Sequence, residues 1–125
     1  MKRGNLPLGQ HGEELAWRYL SQQGYRLLAR NYRTRQGEID IIAEEKNTLA
    51  FIEVKTRNGL GCGHPLEAVT PLKCRQISKV ALHYLAETGR ESRAARFDVV
   101  AVTLLADSRP EIELIRDAFE LCYGT

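Results

Sequence analysis

The chain has 125 residues and a formal net charge of +2, with 43% hydrophobic and 27% charged residues. These values are typical of one soluble domain with a modest core. The longest apolar run, residues 99–106, is too short to span a bilayer, and the N-terminus lacks the apolar segment of a signal peptide. Three widely spaced cysteines without a CxxC pair suit a reducing compartment. We predict one domain over residues 1–125 with loose tails at 1–7 and 120–125, a cytoplasmic location and no membrane partner.

The charge is unevenly spread along the chain. Residues 1–36 carry seven basic and two acidic side chains, whereas the remainder carries eleven basic and fourteen acidic ones. A basic front part is compatible with a phosphate-rich partner such as nucleic acid. A solvated surface is the alternative, because exposed arginine and lysine side chains are the norm in soluble proteins.

The first part of the chain predicts one helix and three strands. Small and apolar residues recur with the 3.6-residue period of a helix over residues 8–23, and Gly24 suits its end. Three strands follow, over residues 25–35, 38–45 and 48–57. The last two are rich in β-branched and aromatic residues, and Lys46 and Asn47 between them predict a hairpin with a two-residue loop.

The second part predicts a loop, a helix and two strands. Residues 58–69 hold three glycines and a proline, and they lack the GK[ST] ending of a phosphate-binding loop. Thr70 and Pro71 suit the start of a helix that ends near Glu87, because they supply a cap and a first-turn proline. Two strands complete the chain, over residues 96–105 and 111–116. The first of these is nearly all apolar, as expected of a strand buried on both faces.

The order of these elements predicts the topology. It reads α-β-β-β-α-β, and the first three strands can form an antiparallel meander. The second helix connects the third and fourth strands in a βαβ crossover, which should be right-handed and leave those two strands parallel. We therefore predict an α/β fold with a mixed sheet flanked by helices.

Counting outward from the hairpin loop predicts which side chains share a face. Glu45 lies opposite Thr48, and the register continues until Asp40 lies opposite Glu53. Residues directly opposite project to the same side of a sheet. One face is then apolar, with Ile39, Ile41, Ala43, Ala50, Ile52 and Val54. The other face carries Ile42 and Phe51 near the loop and four charged residues farther away, Glu38, Asp40, Glu53 and Lys55.

This charged group predicts a metal site. Opposed carboxylates of Asp40 and Glu53 destabilise a sheet unless a cation neutralises them, and Lys55 can offset only part of the charge. Oxygen ligands favour Mg²⁺ or Mn²⁺. A bound metal lowers the pKa of a water and stabilises charge on a phosphate, and a nearby lysine can help position the attacking water. The constellation suits phosphodiester hydrolysis. The alternative is a solvated face with a Glu38–Lys55 salt bridge.

Residues elsewhere could complete such a site. Glu13 flanks the apolar face of the first helix and could lean over the sheet edge as a third metal-binding carboxylate. Its alternative is a first-turn acid that the helix dipole favours. The second helix has a polar side that could contact nucleic-acid phosphates or be solvated: Lys73, Gln76, Lys79 and His83. Lys73 in the first turn opposes the dipole, which favours a functional reason for it. Arg35 and Arg57 are further candidate nucleic-acid contacts.

Five blocks of the sequence resemble a known family. In order they read GQHGEELAWRYL, GEIDIIAEE, FIEVKTR, TPLK and RFDVVAV. They resemble the bacterial YraN-like proteins, which are assigned to the restriction-endonuclease-like, PD-(D/E)xK superfamily and are related to archaeal Holliday-junction resolvases. The likeness runs from about Leu8 to Phe119 and implies an αβββαβ nuclease-like core. Ile39 stands where the superfamily label has proline, a departure that the family shares.

The resemblance also implies roles for particular residues. Asp40 and Glu53 match the metal-binding acids, Lys55 the motif lysine and Glu13 the helix glutamate of the resolvases. Glu38 and Lys73 match family positions of unsettled role. The implied activity is a Mg²⁺- or Mn²⁺-dependent endonuclease acting on branched or structured DNA, with a homodimer as the implied assembly. The alternative is a module on the same fold that binds nucleic acid or protein without cutting.

Overall fold

A computed structural model describes residues 8–59, 61 and 63–122. Two helices and five strands are present besides a short 3-10 helix, Pro65–Ala68. Their bounds are α1 Leu8–Gln22, β1 Arg26–Thr34, β2 Gly37–Glu45, β3 Thr48–Asn58, α2 Pro71–Glu87, β4 Ala95–Leu104 and β5 Glu111–Phe119. The predicted elements are confirmed, with β5 ending three residues later than expected. Within the described residues no helix is long and apolar enough to cross a membrane.

The five strands form one sheet in the order β1-β2-β3-β4-β5. The pairs β1–β2, β2–β3 and β4–β5 are antiparallel, and β3–β4 is parallel. The predicted meander and the parallel crossover through α2 are therefore confirmed. A mixed sheet with two helices is consistent with the restriction-endonuclease-like fold.

The helices cover opposite faces of the sheet, so the core has two layers. Against α1 pack apolar residues of β2, β3 and β4, which include Ile41, Ile52 and Val100. Against α2 pack Ile42, Phe51 and other residues of the opposite face. Strand β4 contributes to both clusters, as its continuous apolar run predicts.

The N-terminal half of α1 lies very close to β3. A Cβ atom at Gly12 would lie 1.8 Å from Oγ1 of Thr56 and 2.7 Å from its Cβ, so a larger residue cannot fit without movement. At Gly9, one turn earlier, a Cβ would meet nothing within 4 Å. Gly12 therefore permits the close approach that brings the next residue, Glu13, to the sheet.

The hairpin between β2 and β3 has the predicted loop. Lys46 and Asn47 have φ angles of 50° and 68°, which is the left-handed conformation of a type I′ turn. The register from Glu45 opposite Thr48 to Ile41 opposite Ile52 agrees with the prediction.

Beyond Ile41 the predicted ladder is wrong. Asp40 and Glu53 do not form a ladder pair; the N–H of Val54 donates to Oδ2 of Asp40 at 2.8 Å instead. The Asp40 carboxylate thus takes the place of a backbone carbonyl, so its side chain reaches along the sheet toward β3. The alternation of β2 is interrupted there, and Ile39 packs with Ile42 against α2 rather than with Ile41.

The predicted tails lie mostly outside the described residues. Residues 1–7 and 123–125 belong to that part. Residues 120–122 lie against α2, where the N–H of Cys122 donates to Oγ of Ser78 at 2.9 Å and the Glu120 carbonyl accepts from the Cys74 thiol at 3.6 Å.

Candidate functional site

Strands β2 and β3 separate at Asp40, and a polar cavity of about 310 Å³ lies beside this point. Both helices and both strands contribute to its wall. We call it the acidic pocket and define it by its five charged residues: Glu13, Asp40, Glu53, Lys55 and Lys73. The structure therefore brings the four predicted catalytic residues together, and it adds Lys73 from the first turn of α2.

Asp40 lies at the centre of the pocket and is mostly buried. Burial, followed by the charge of Glu53, raises its pKa to about 8, although the hydrogen bond from the Val54 N–H opposes both effects. An ionised Asp40 is therefore unfavourable at neutral pH unless a cation lies nearby. Groups with such shifts are frequent at functional sites.

Glu53 is buried and already has one cationic partner. Its Oε2 lies 2.7 Å from Nζ of Lys73, and the two side chains are 8% and 45% exposed. Burial lowers the pKa of Lys73, but the hydrogen bond with Glu53 raises it. The net shift is upward. Thr70 caps α2, because its Oγ1 accepts the Lys73 N–H at 3.2 Å. The cap fixes where the helix begins and so where Lys73 points.

Glu13 reaches the pocket from α1. Burial and the charge of Glu38 raise its pKa, whereas Arg30 and a hydrogen bond with Asn31 lower it, and the net shift is upward. Glu38 itself forms an ion pair with Arg33 of β1. The alternative expected from the sequence was a Glu38–Lys55 salt bridge. In the structure Glu38 pairs instead with Arg33 on the neighbouring strand.

The donor chemistry of the pocket fits a hard divalent cation. In the part of the chain that the structure describes, no three histidine, cysteine or acidic side chains are arranged to hold a metal by themselves. Asp40 and Glu53 offer two buried sets of carboxylate oxygens. Mg²⁺ usually takes one or two carboxylates, keeps several waters and binds a substrate phosphate, so two acids suffice. The role of Glu13 as a third ligand stays a prediction.

The candidate nucleic-acid contacts lie in different surroundings. Gln76 is exposed beside the start of β2, and Arg35 is exposed in the turn between β1 and β2. Arg57 is engaged locally, because its guanidinium donates to the Gly63 carbonyl and to Oγ1 of Thr103. Lys73 alone among these candidates lines the acidic pocket. The sequence signal for it was a lysine in a helix's first turn, against the dipole.

A second group of charged and hydrogen-bonding side chains lies near the loop end of the hairpin, and its two acids are buried. We call it the arginine cluster and define it by five residues: Tyr25, Glu45, Arg96, Asp98 and Arg116. Asp98 is fully buried and accepts hydrogen bonds from the Tyr25 hydroxyl at 2.7 Å, Nε of Arg96 at 3.0 Å and the Asp117 N–H at 2.9 Å. Sequence analysis did not single out this cluster.

Glu45 completes the arginine cluster. It accepts from Nε and Nη2 of Arg116, at 2.9 and 2.7 Å, and it also pairs with Arg96. Hydrogen bonds, first from Arg116 and then from Arg96, lower the pKa of Glu45 to about 2, although burial opposes them. Each carboxylate here has its counter-charge within the fold.

Comparison with known proteins shows where the chain belongs. A sequence model of the uncharacterised protein family UPF0102 matches residues 12–102. A UPF0102 protein of Geobacter sulfurreducens is 52% identical over 119 residues, covering 95% of this chain and 93% of its own. One from Rhodococcus jostii is 51% identical over 115 residues, covering 92% and 98%. A third, from Syntrophus aciditrophicus, is 52% identical over 123 residues, covering 96% and 94%. The chain belongs to the UPF0102 family, the family of the YraN-like proteins.

Proposed function

We propose that the protein is a Mg²⁺-dependent endonuclease that hydrolyses phosphodiester bonds in DNA. One observation carries the proposal: the acidic pocket gathers three acids, Glu13, Asp40 and Glu53, against two lysines, and burial together with the charge of Glu53 raises the pKa of Asp40 to about 8. Uncompensated buried acids are costly to keep, so a ligand that neutralises them gives the arrangement a purpose. Mn²⁺ has the same preference for oxygen and should replace Mg²⁺.

The residues of the pocket suit distinct tasks in such a reaction. Asp40 and Glu53 would hold the cation, and the Val54 N–H fixes one oxygen of Asp40 so that the carboxylate is oriented before binding. A divalent cation held there supplies a water of lowered pKa and stabilises charge on a phosphate oxygen. Lys55 is exposed at the pocket wall and can position the attacking water or the scissile phosphate. Glu13 adds negative charge on the α1 side.

The preference for branched or structured DNA rests on the relationship to resolvases rather than on a feature of the pocket. The pocket has a volume of about 310 Å³, and its two lysines suit a backbone phosphate rather than a base edge. We therefore expect recognition of phosphate geometry more than of sequence. A homodimer, which resolvase relatives form, would bring two such pockets to one junction.

The test is cleavage of labelled DNA. Purified protein is incubated with branched, flapped and linear substrates in Mg²⁺, in Mn²⁺ and in EDTA. We expect cleavage in either metal and none in EDTA. Asp40→Asn should lose at least about 100-fold in rate, the typical cost of removing one preorganised electrostatic group. Asp107→Asn, an exposed aspartate in the β4–β5 connection, is the matched control and should cut as wild type does. Failure of wild type to cut any substrate contradicts the proposal.

A binding module on the same fold is the second candidate. The observation that favours it is the Lys73–Glu53 ion pair at 2.7 Å, which partly satisfies the acids without a metal. Calorimetry with Mg²⁺ separates the two functions. Binding that Asp40→Asn abolishes supports the enzyme, whereas the absence of binding to wild type supports the module.

A further inference from the structure

The contact between Lys73 and Glu53 links α2 to the metal-binding strand. Nζ of Lys73 lies 2.7 Å from Oε2 of Glu53, so the ammonium occupies the side of the carboxylate that faces the pocket. An oxygen that binds a divalent cation at close range cannot keep an ammonium at the same distance without strong repulsion between the cations. A metal bound through Oε2 of Glu53 and the Lys73 ammonium therefore compete for that oxygen.

We propose that Lys73 is an exchangeable counter-cation of the acidic pocket. It pairs with Glu53 while no divalent cation is bound, releases Glu53 when the cation binds, and then turns its ammonium to a phosphate of the DNA. This inference rests on the proposed function and names the step by which metal binding prepares the pocket for substrate.

The side chains of the pair suit an exchange. Glu53 is 8% exposed and held in β3, whereas the Lys73 side chain is 45% exposed at the pocket's edge. Lysine carries its charge on a flexible four-carbon stem, so the ammonium can move several ångströms while α2 stays fixed. An arginine would bind the carboxylate through two parallel hydrogen bonds and would release it less readily.

The charge of the pocket explains the direction of the exchange. The lining holds three carboxyl groups and two ammonium groups, so without a metal its formal charge is −1, or 0 when Asp40 is protonated. One divalent cation changes this to +1 and frees Lys73. Lys73 also lies in the first turn of α2, whose positive end disfavours a lysine and favours a phosphate. Metal binding thus gives the lining a net positive charge, which favours a phosphate.

Metal affinity is the first measurement. Mn²⁺ binding is measured by calorimetry without DNA for wild type, Lys73→Met, Lys73→Arg and Lys46→Met. Lys73→Met should bind Mn²⁺ about 3- to 10-fold more tightly, because no ion pair needs to break. Lys73→Arg should bind no more tightly than wild type. Lys46→Met, at the far end of the hairpin, removes the same charge as a control and should leave the affinity unchanged.

DNA affinity is the second measurement. Anisotropy of a labelled duplex is followed against salt in Ca²⁺, which also binds carboxylate oxygens, and in EDTA. Ca²⁺ should tighten DNA binding more in wild type than in Lys73→Met, and the slope of log affinity against log salt in Ca²⁺ should be smaller by about 1 in Lys73→Met.

The outcomes separate the exchange from the proposed function. If wild type binds no Mn²⁺, the metal-dependent function fails and the exchange with it. If wild type binds Mn²⁺ and Lys73→Met binds it no more tightly, the exchange alone is overturned. It is also overturned if Ca²⁺ tightens DNA binding equally in both proteins.

Discussion

Two groups of buried acids lie at opposite ends of the β2–β3 hairpin, and the fold treats them differently. In the arginine cluster, Glu45 and Asp98 are matched by Arg96 and Arg116 and by the Tyr25 hydroxyl. In the acidic pocket three carboxylates face two lysines. Only one of these lysines makes a close ion pair with an acid of the pocket in the described structure, that of Lys73 with Glu53.

The pKa values of Glu45 and Asp40, one acid from each group, are shifted in opposite directions. Arg116 and Arg96 hold the pKa of Glu45 down at about 2, whereas burial and the charge of Glu53 raise that of Asp40 to about 8. Ionised Glu45 therefore stabilises the fold, whereas ionised Asp40 destabilises it. Buried acids therefore indicate a ligand site when the fold leaves their charge unmatched. They indicate a structural role when the fold supplies the matching positive charge.

The largest effect should come from breaking the arginine cluster at Asp98. Asp98→Ala removes a fully buried acceptor and leaves Arg96, the Tyr25 hydroxyl and the Asp117 N–H without that partner. We expect a loss of about 3–5 kcal/mol in the free energy of unfolding. Urea denaturation measures it, with the exposed Asp107→Ala as the control. A loss below about 1 kcal/mol would contradict a structural role for the cluster.

The second effect concerns packing at the acidic pocket, where the close approach of α1 to β3 brings Glu13 to the sheet. Gly12→Ala forces α1 away from Thr56 of β3. It should lower the free energy of unfolding by about 1–3 kcal/mol, because overpacking destabilises a core. Gly9→Ala is the matched control in the same helix. The added Cβ atom meets no atom within 4 Å. The variant should raise the free energy of unfolding by up to about 1 kcal/mol, because alanine has a higher helix propensity than glycine.

The pair of glycine variants also reports on the site. If Glu13 contributes to metal binding, Gly12→Ala should weaken Mn²⁺ binding and Gly9→Ala should not. Equal stability of the two variants would show that α1 can move away from β3 without cost.

The sequence predicts the arginine end of the hairpin better than the pocket end. Lys46 and Asn47 set the loop type, and a two-residue loop sets the register of the strands that follow it. Counting the register outward from the loop assumes that β2 and β3 stay paired through backbone hydrogen bonds along their whole length. At Asp40 it does not, because a carboxylate accepts the Val54 N–H, and residue periodicity carries no sign of such a bond.

The remaining contacts of the site depend on tertiary placement. Lys73 and Glu53 are twenty residues apart along the chain and meet because α2 begins at Thr70 and lies over this edge of the sheet. Periodicity predicts α2 and its buried face, but not where its first turn lies against β3. The arginine cluster was missed for the same reason, since Tyr25 and Asp98 are 73 residues apart.

The third prediction tests the sign of the charge effect at Asp40. Its folded-state pKa is raised from 3.8 to about 8, so the folded protein keeps a proton that the unfolded chain loses. Without metal, stability should therefore fall as the pH rises from about 4 to about 8. Asp40→Asn should remove that fall. At pH 8 in EDTA its free energy of unfolding should exceed that of wild type by about 0.5–2 kcal/mol, because removing an unfavourable charge from a functional site often stabilises a protein.

The control for this variant is the metal. Saturating Mn²⁺ should stabilise wild type at pH 8 and leave Asp40→Asn unchanged, because a ligand stabilises only the state that binds it. A destabilised Asp40→Asn in EDTA would mean that the Asp40 carboxylate serves the fold, as Asp98 does.

The smallest effect that we expect is the loss of stability at acidic pH when Glu45 becomes protonated. It completes the comparison of the two groups. The folded-state pKa of Glu45 is lowered from 4.5 to about 2, so its stabilisation is present above about 4.5 and is lost as the pH falls toward 2. Glu45→Gln should be less stable than wild type at pH 7 and should lose less on acidification, because it has no proton to gain. Denaturant titrations between pH 2 and 7 measure the two slopes. Parallel profiles would contradict the assignment, whereas profiles that converge in acid would place the acid-sensitive charge in the arginine cluster.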